Sequence, residues 1–299
     1  MDLPPPVRSA NKLISVWNEI FPWSSLLEAS RLPLLRGILI FALFPLAASI
    51  YFSNYVDIQK AAWVVGIYFA VFWAYLIRTL LQCDVKKRHV IIPALFTPIV
   101  GIPLVLFLQK FPIIKQLYDA TEIQWDGLRL IGFVGGVGVL EEAAKMLPVL
   151  WLAFQAREIR NSKEAAFCAA ISGLAFGIAE AASYALLYAQ QNAQFSQETG
   201  LSGSGNYILW QFLRTITLPL LHAAFSGTVG YYVGLALSRT TKRYKWVILG
   251  LLVGAVLHGL YDFFSSGWLG LVIAAVSIWF FIGVARSKPL AVGIEAISP

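Results

Sequence analysis

About eight uninterrupted apolar runs, each near 20 residues, constrain this 299-residue chain more than any other feature. Coiled as a helix, a run of that length matches the hydrocarbon thickness of a bilayer. A segment in lipid must also satisfy its own backbone polar groups, which a helix does internally. The runs fall at 37–53, 61–82, 91–109, 128–154, 165–190, 207–237, 246–262 and 268–285. They predict an all-α fold: a polytopic integral membrane bundle of about eight transmembrane helices. Charged residues make up 13% of the chain, against about 25% in a soluble domain, and mean hydropathy is +0.70. A soluble globular enzyme, a DNA-binding domain and a disulfide-stapled secreted module are thereby excluded. The two cysteines, Cys83 and Cys168, are too few for a disulfide framework.

The formal charge of +7 finds its explanation in where the 23 Lys and Arg lie. Sixteen fall in alternate connections: Arg8, Lys12, Arg31, Arg36; Lys86, Lys87, Arg88; Arg157, Arg160, Lys163; Arg239, Lys242, Arg243, Lys245; Arg286 and Lys288. The opposite set holds three, Lys60, Lys110 and Lys115. That bias is the positive-inside pattern and predicts both termini in the cytoplasm. The basic charge reflects topology, so no nucleic-acid partner is expected. The N-terminal segment 1–36 shows no early apolar stretch of a cleavable signal. It reads as cytoplasmic or interfacial, with Trp17, Phe21 and Trp23 on one apolar side. The polar, Gly/Ser-rich stretch 191–206 reads as a flexible external connection.

Small residues recur every fourth position in the later spans. The fifth carries Ala165, Ala169, Gly173, Gly177, Ala181, Ala185 and Ala189. Gly132 and Gly136 do so in the fourth, Ser226, Gly230 and Gly234 in the sixth, Gly250 and Gly254 in the seventh. In lipid, where the hydrophobic effect does not drive helices together, such ladders permit close backbone approach. Spans four to seven therefore form the packed unit.

Those same spans hold ionisable groups. The fourth has Glu141, Glu142 and Lys145, the fifth Glu180, the sixth Arg214 and His222, the seventh His258 and Asp262. Each ionised side chain near the bilayer centre costs about 2.5–3.5 kcal/mol on insertion scales, so the set together costs on the order of 10 kcal/mol or more unless its members meet. Spacing favours meeting: Glu141–Lys145, His222–Ser226 and His258–Asp262 are i,i+4 pairs on shared faces. Gln211, Thr215, His222 and Ser226 lie on one stripe of the sixth span and read as a wet groove.

Two carboxyls side by side in a low dielectric do not both ionise easily and titrate as a unit, which suits general acid–base work. Two histidines with Glu180 or Asp262 have Zn-compatible chemistry. Alternatively the histidines stabilise an oxyanion while a glutamate activates water, and Asp262 orients His258. Both routes hydrolyse an amide. A His-Glu-X-X-His zinc helix, a Gly-X-Ser-X-Gly elbow and a phosphate-binding loop are all missing from the sequence. A proton-coupled transporter or a non-catalytic membrane scaffold would also bury Glu and His. The chain, however, shows neither repeat halves nor paired broken helices.

Glu141-Glu142-Ala-Ala-Lys145, Phe176-Gly-Ile-Ala-Glu180, His222-Ala-Ala-Phe-Ser226 and His258-Gly-Leu-Tyr-Asp262 together resemble the four motifs of the PrsW family of bacterial intramembrane proteases. The resemblance covers 128–265, which it marks as the protease core. Residues 37–127 are then accessory transmembrane helices, and 266–299 the last helix and a cytoplasmic tail. It implies a peptidase of the bacterial cytoplasmic membrane, within the wider CAAX-protease superfamily, cleaving a single-pass membrane protein such as an anti-sigma factor at a first site. It implies as catalytic residues Glu141, Glu142, Lys145, Glu180, His222, His258 and Asp262. The family has been described as both metallo- and glutamic-type. Type II CAAX prenyl proteases carry Glu-Glu-X-X-X-Arg and a His in the second motif; here Lys145 stands one position earlier and Glu180 replaces the His. Glu141 is the leading general base, with Glu142 its partner. No cofactor is required by that reading, while Zn on Glu180, His222 and His258 stays open.

Overall fold

Seven of the eight expected spans correspond to helical segments in the computed structural model, which describes residues 58–199, 204–265 and 267–286. The first expected span, 37–53, the segment 1–36 and most of the C-terminal tail lie outside the described residues. The helices are α1 (Ile58–Leu81), α2 (Lys87–Leu108), the short α3 (Pro112–Asp119), α4 (126–155), α5 (Ser162–Thr199), α6 (Ser204–Leu237), α7 (Arg243–Phe264) and α8 (Trp268–Arg286). No strand occurs among the described residues. Five of these helices, α1, α2, α5, α6 and α7, are long and apolar enough to cross a membrane by length and composition.

The layering follows from side-chain size. In α5 and α6, 94% and 83% of the apolar window is buried, against 22–28% in α1, α2 and α7. The two small-residue-rich helices therefore form a central antiparallel hairpin, and the bulkier helices surround it. Outward faces are large and apolar, with Tyr75, Leu95, Ile99, Trp268, Leu271 and Trp279 exposed. That is the arrangement expected where the outer solvent is lipid.

The ladders fall where helices touch. A Cβ on Gly230 would lie 2.5 Å from the Ala165 carbonyl oxygen, and one on Gly234 2.2 Å from Ser162 Cα. A Cβ on Gly138 would meet the Ala255 carbonyl oxygen at 2.4 Å, and one on Gly254 would meet Val229 Cγ2 at 2.3 Å. All are below ordinary van der Waals contact, so only hydrogen fits.

Three features depart from the expected plain spans. First, α4 is not uniformly α-helical: Gly132–Val139 and Trp151–Gln155 are π-helical, either side of Leu140–Leu150. The glycine-rich run Gly-Phe-Val-Gly-Gly-Val-Gly carries few Cβ atoms to resist the wider turn, and π-turns often mark functional stretches. Second, the stretch read as a flexible connection at 191–206 is helical up to Thr199. Its Gln, Ala and Glu residues are good helix formers, and Gly200 follows directly. Third, α3 lies in a segment where no helix is expected. It starts at Pro112, in the first turn where proline's missing N–H costs nothing. Its backbone at Leu117 and Tyr118 rests on Gly136, whose added Cβ would sit 2.7–2.8 Å away.

Candidate active site

Each of the four spans singled out in the sequence brings polar groups to a common centre, and Lys145 is the hub. Its Nζ is fully buried and donates to Glu142 Oε1 (2.9 Å), Glu141 Oε2 (3.3 Å) and His222 Nδ1 (2.9 Å). The ammonium also lies 4.0 Å from the centre of the Phe176 ring, a cation–π contact in a dry setting. The first, second and third motifs thus meet at one nitrogen.

The two glutamates are not equivalent. Glu142 has no exposed side chain, and both its oxygens are bonded. Oε1 accepts from Lys145 and from His258 Nδ1 (3.0 Å), and Oε2 accepts from Ser226 Oγ (2.7 Å). Glu141 keeps 15% of its side chain exposed, and its Oε1 has no hydrogen bond among the described residues. One carboxylate is locked and the other stands open.

The histidines are held at one nitrogen each by carboxylates. With Lys145 donating to Nδ1, the neutral ring of His222 carries its hydrogen on Nε2 and donates to Glu180 Oε2 at 2.7 Å. Glu180 Oε1 in turn accepts from Arg214 Nη2 at 3.3 Å, and Arg214 also lies over Tyr184. His258 donates through Nδ1 to Glu142, so its Nε2 faces Asp262 Oδ2 (3.4 Å) and Glu141 Oε2 (3.7 Å). A lone pair directed at two carboxylates is repulsive. A proton or a cation among them removes the conflict.

Packing fixes these rings. Phe225 stacks on His258 at 5.0 Å and 15°, and the two imidazoles meet edge to face at 4.9 Å. A Cβ on Gly173 would reach the His222 carbonyl oxygen at 2.3 Å, and one on Gly177 the Pro219 Cα at 2.6 Å. The missing side chains of α5 are what allow α6 to bring His222 onto Glu180. Ser172 Oγ donates to the Lys145 carbonyl (2.7 Å) and lies 2.5 Å from Thr97 Oγ1, so α2 braces the same turn of α4.

A divalent cation fits the donor set. Glu141, His222 and His258 each offer a ligand atom, and these lie within 4.8 Å of one another. Two imidazoles with a carboxylate are ligands that Zn accepts. Carboxylates behind the rings, Glu142 on His258 and Glu180 on His222, are the usual supporting partners. Four carboxylates, Glu141, Glu142, Glu180 and Asp262, face two cations, Lys145 and Arg214, and this surplus of negative charge is what a dication offsets. The group that converges is thus built on Glu141, with Glu180 standing behind His222 and bonded to Arg214.

All seven residues picked out in the sequence are in this network. Ser226, Phe176 and Phe225 are quoted in the motifs, yet nothing in periodicity reveals their bonds. Two contributors have no sequence signal: the Ser172–Thr97 brace and α3. Outside the membrane-crossing segments, burial raises the Tyr118 phenol above its ordinary value, and the Glu141, Glu180, Glu122 and Asp262 charges raise it further. The polar stripe of α6 is packed rather than open at Thr215, which is 2% exposed with its methyl toward Gly66. The Gln211 side chain lies outside the described residues.

A family model described as PrsW family intramembrane metalloprotease matches residues 85–285. A Protease PrsW from Oceanobacillus iheyensis is 29% identical over 168 residues, covering 55% of this chain and 69% of that protein. The Shouchella clausii Protease PrsW is 25% identical over 139 residues (46% and 56%), and that of Bacillus subtilis 33% over 89 residues (28% and 40%). The chain thus spans between 40% and 69% of these relatives' lengths. No solved structure matches.

Proposed function

We propose, from the premise that this chain belongs to the PrsW family of intramembrane metalloproteases and is a peptidase of that kind, that it hydrolyses a peptide bond of a membrane-bound protein at the Glu141–His222–His258 cluster. The observation that carries the proposal is the asymmetry of the glutamate pair: Glu142 is saturated and sealed, while Glu141 has a free oxygen on the open side.

In this reading Glu141 takes a proton from the attacking water and passes it to the leaving amine. Lys145 lies between Glu141 and Glu142 and donates to both. Glu142 does not touch substrate; it positions Lys145, Ser226 and His258. With a proton on Nε2, His258 donates to the developing oxyanion and is oriented by Glu142 and Asp262, while His222 assists and is held in place by Glu180. A divalent ion held by Glu141, His222 and His258 would supply Lewis acidity to the scissile carbonyl.

The remaining expectations fit one topology: about eight spans, the active site in spans four to seven, and both termini cytoplasmic in a bacterial inner membrane. His258 lies fifteen residues past Arg243 in α7, or about 22 Å at 1.5 Å per residue. Measured from the basic cytoplasmic turn, that depth is beyond the middle of a hydrocarbon layer about 30 Å thick. Such a position suits cleavage of a single-pass substrate, for example an anti-sigma factor, in the outer half of its span.

The test is quantitative mapping of new protein termini in membranes carrying the wild type or Glu141→Gln at equal expression. New termini in or beside single-pass spans, present with the wild type alone, are expected. Coincident profiles would overturn the peptidase assignment of this cluster and favour a proton or ligand pathway.

A further inference from the structure

Arg214 is the second residue of the apolar segment Leu213–Leu237 of α6. An arginine so close to the end of a span can extend its head toward the nearby interface and leave its stem in lipid. Arg214 turns the other way. Its Cζ lies 4.2 Å from the centre of the Tyr184 ring, and its Nη2 donates to Glu180 Oε1 at 3.3 Å. Tyr184 and Glu180 are i,i+4 neighbours on α5, which runs antiparallel to α6. The side chain therefore runs along α5 from Tyr184 to Glu180, toward His222 and away from the end of its own span.

Glu180 links the two residues. Its Oε2 accepts from His222 Nε2 at 2.7 Å, and its Oε1 accepts from Arg214. A carboxylate held at one oxygen can still rotate about its last bond and carry the bonded imidazole with it. A guanidinium on the second oxygen restrains that rotation with a charge-assisted bond. Lys145 cannot take this place, because its Nζ is shared among Glu141, Glu142 and His222 Nδ1 on the opposite side of the ring. The planar guanidinium also suits a site that asks for stacking and donation together, which an ammonium does not provide.

We infer that Arg214, seated on Tyr184, is a positioning residue for peptide hydrolysis: it holds Glu180 so that Glu180 keeps the His222 imidazole in its tautomer and orientation. It acts through Glu180 and touches neither the substrate nor the attacking water. The kinetic consequence rests on the peptidase reading, whereas the effect on the His222 ring rests on the Arg214–Glu180–His222 geometry alone.

The test uses the full chain in nanodiscs, with cleavage of a single-pass reporter as one readout. The other is the ring-nitrogen NMR spectrum of protein labelled with 15N-histidine. The chain has three histidines, and the His222 resonances are assigned by their loss in His222→Gln. Arg214→Gln, Arg214→Lys, Glu180→Gln and the double variant Arg214→Gln/Glu180→Gln are compared with wild type. Thr217→Val is the control; its exposed hydroxyl donates to the Leu213 carbonyl of its own helix. Arg214→Gln should lower kcat by about 10- to 100-fold, the usual cost of losing such a supporting partner, with KM unchanged. Arg214→Lys keeps the charge and should recover part of that loss. The double variant should fall no further than Glu180→Gln, as expected when one residue acts through the other. The His222 resonances should move in Arg214→Gln and stay in place in the control. Wild-type kcat in Arg214→Gln, a loss confined to KM, additive losses in the double variant, or unmoved His222 resonances would each overturn the proposal. A wild type that cleaves nothing sinks the peptidase reading instead, and the resonances then decide by themselves whether Arg214 positions His222.

Discussion

Replacing Gly173 by alanine touches no ionisable group, yet it should disable the site. The added Cβ would lie 2.3 Å from the His222 carbonyl oxygen, 2.6 Å from its carbonyl carbon and 2.9 Å from the Ala223 nitrogen. Ordinary contact begins at 3.4 Å, so α6 must retreat from α5 by about 1 Å, because backbone atoms of a packed helix cannot rotate aside. That retreat draws on the 2.7 Å bond from His222 to Glu180 and the 2.9 Å bond from Lys145. Misplacing a reacting group by about 1 Å costs on the order of a hundredfold in rate. Helix propensity acts the other way, favouring alanine over glycine by about 1 kcal/mol, so folding and insertion should persist. The assay is cleavage of a single-pass reporter in membranes, with monodispersity in detergent as the check on folding. Gly283→Ala, where nothing lies within 4 Å, serves as control and should cleave normally. A folded Gly173→Ala protein with wild-type turnover would show that the α5–α6 contact does not set the position of His222.

Ser226→Ala removes the 2.7 Å bond to Glu142 inside a fully buried pair; loss of a hydrogen bond to a charged acceptor should lower stability by about 1.5–3 kcal/mol, read as a fall in Tm with the insertion topology unchanged. Dialysis against a strong chelator should reduce cleavage and added Zn should restore it, since Glu141, His222 and His258 form a ligand set; full activity in metal-free protein would refute the metal and leave Glu141 as the sole activator. Outside the membrane-crossing segments, burial and the Glu164 charge raise the Cys83 thiol from 9.0 to about 11. Raising a thiol's pKa removes thiolate at any pH below it, so maleimide should label Cys83 about a hundredfold more slowly at neutral pH than an exposed cysteine. Rapid labelling at pH 7 would contradict its burial.

Much of the arrangement is legible in the chain. Length and apolarity mark the spans because a helix in lipid must be about 20 residues long and carry few charges. The four-residue ladders mark helix contacts because only small side chains let backbones approach, and Gly230 against Ala165 is one such contact. Glu141, Glu142, Lys145, Glu180, His222, His258 and Asp262 declare themselves as a set because charges isolated in four separate spans would be too costly. Periodicity reports which face a residue occupies and says nothing about which atom it meets. That Lys145 meets His222, 77 positions away, that Glu142 is saturated while Glu141 keeps a free oxygen, and that Glu180 stands behind His222 are matters of distance between helices. The π-turns of α4, the seating of α3 on Gly136 and the reach of Arg214 across Tyr184 to Glu180 likewise exist only once the helices pack. They depend on fractions of an ångström between backbones, and those are fixed by close packing among distant segments rather than by any local run of residues.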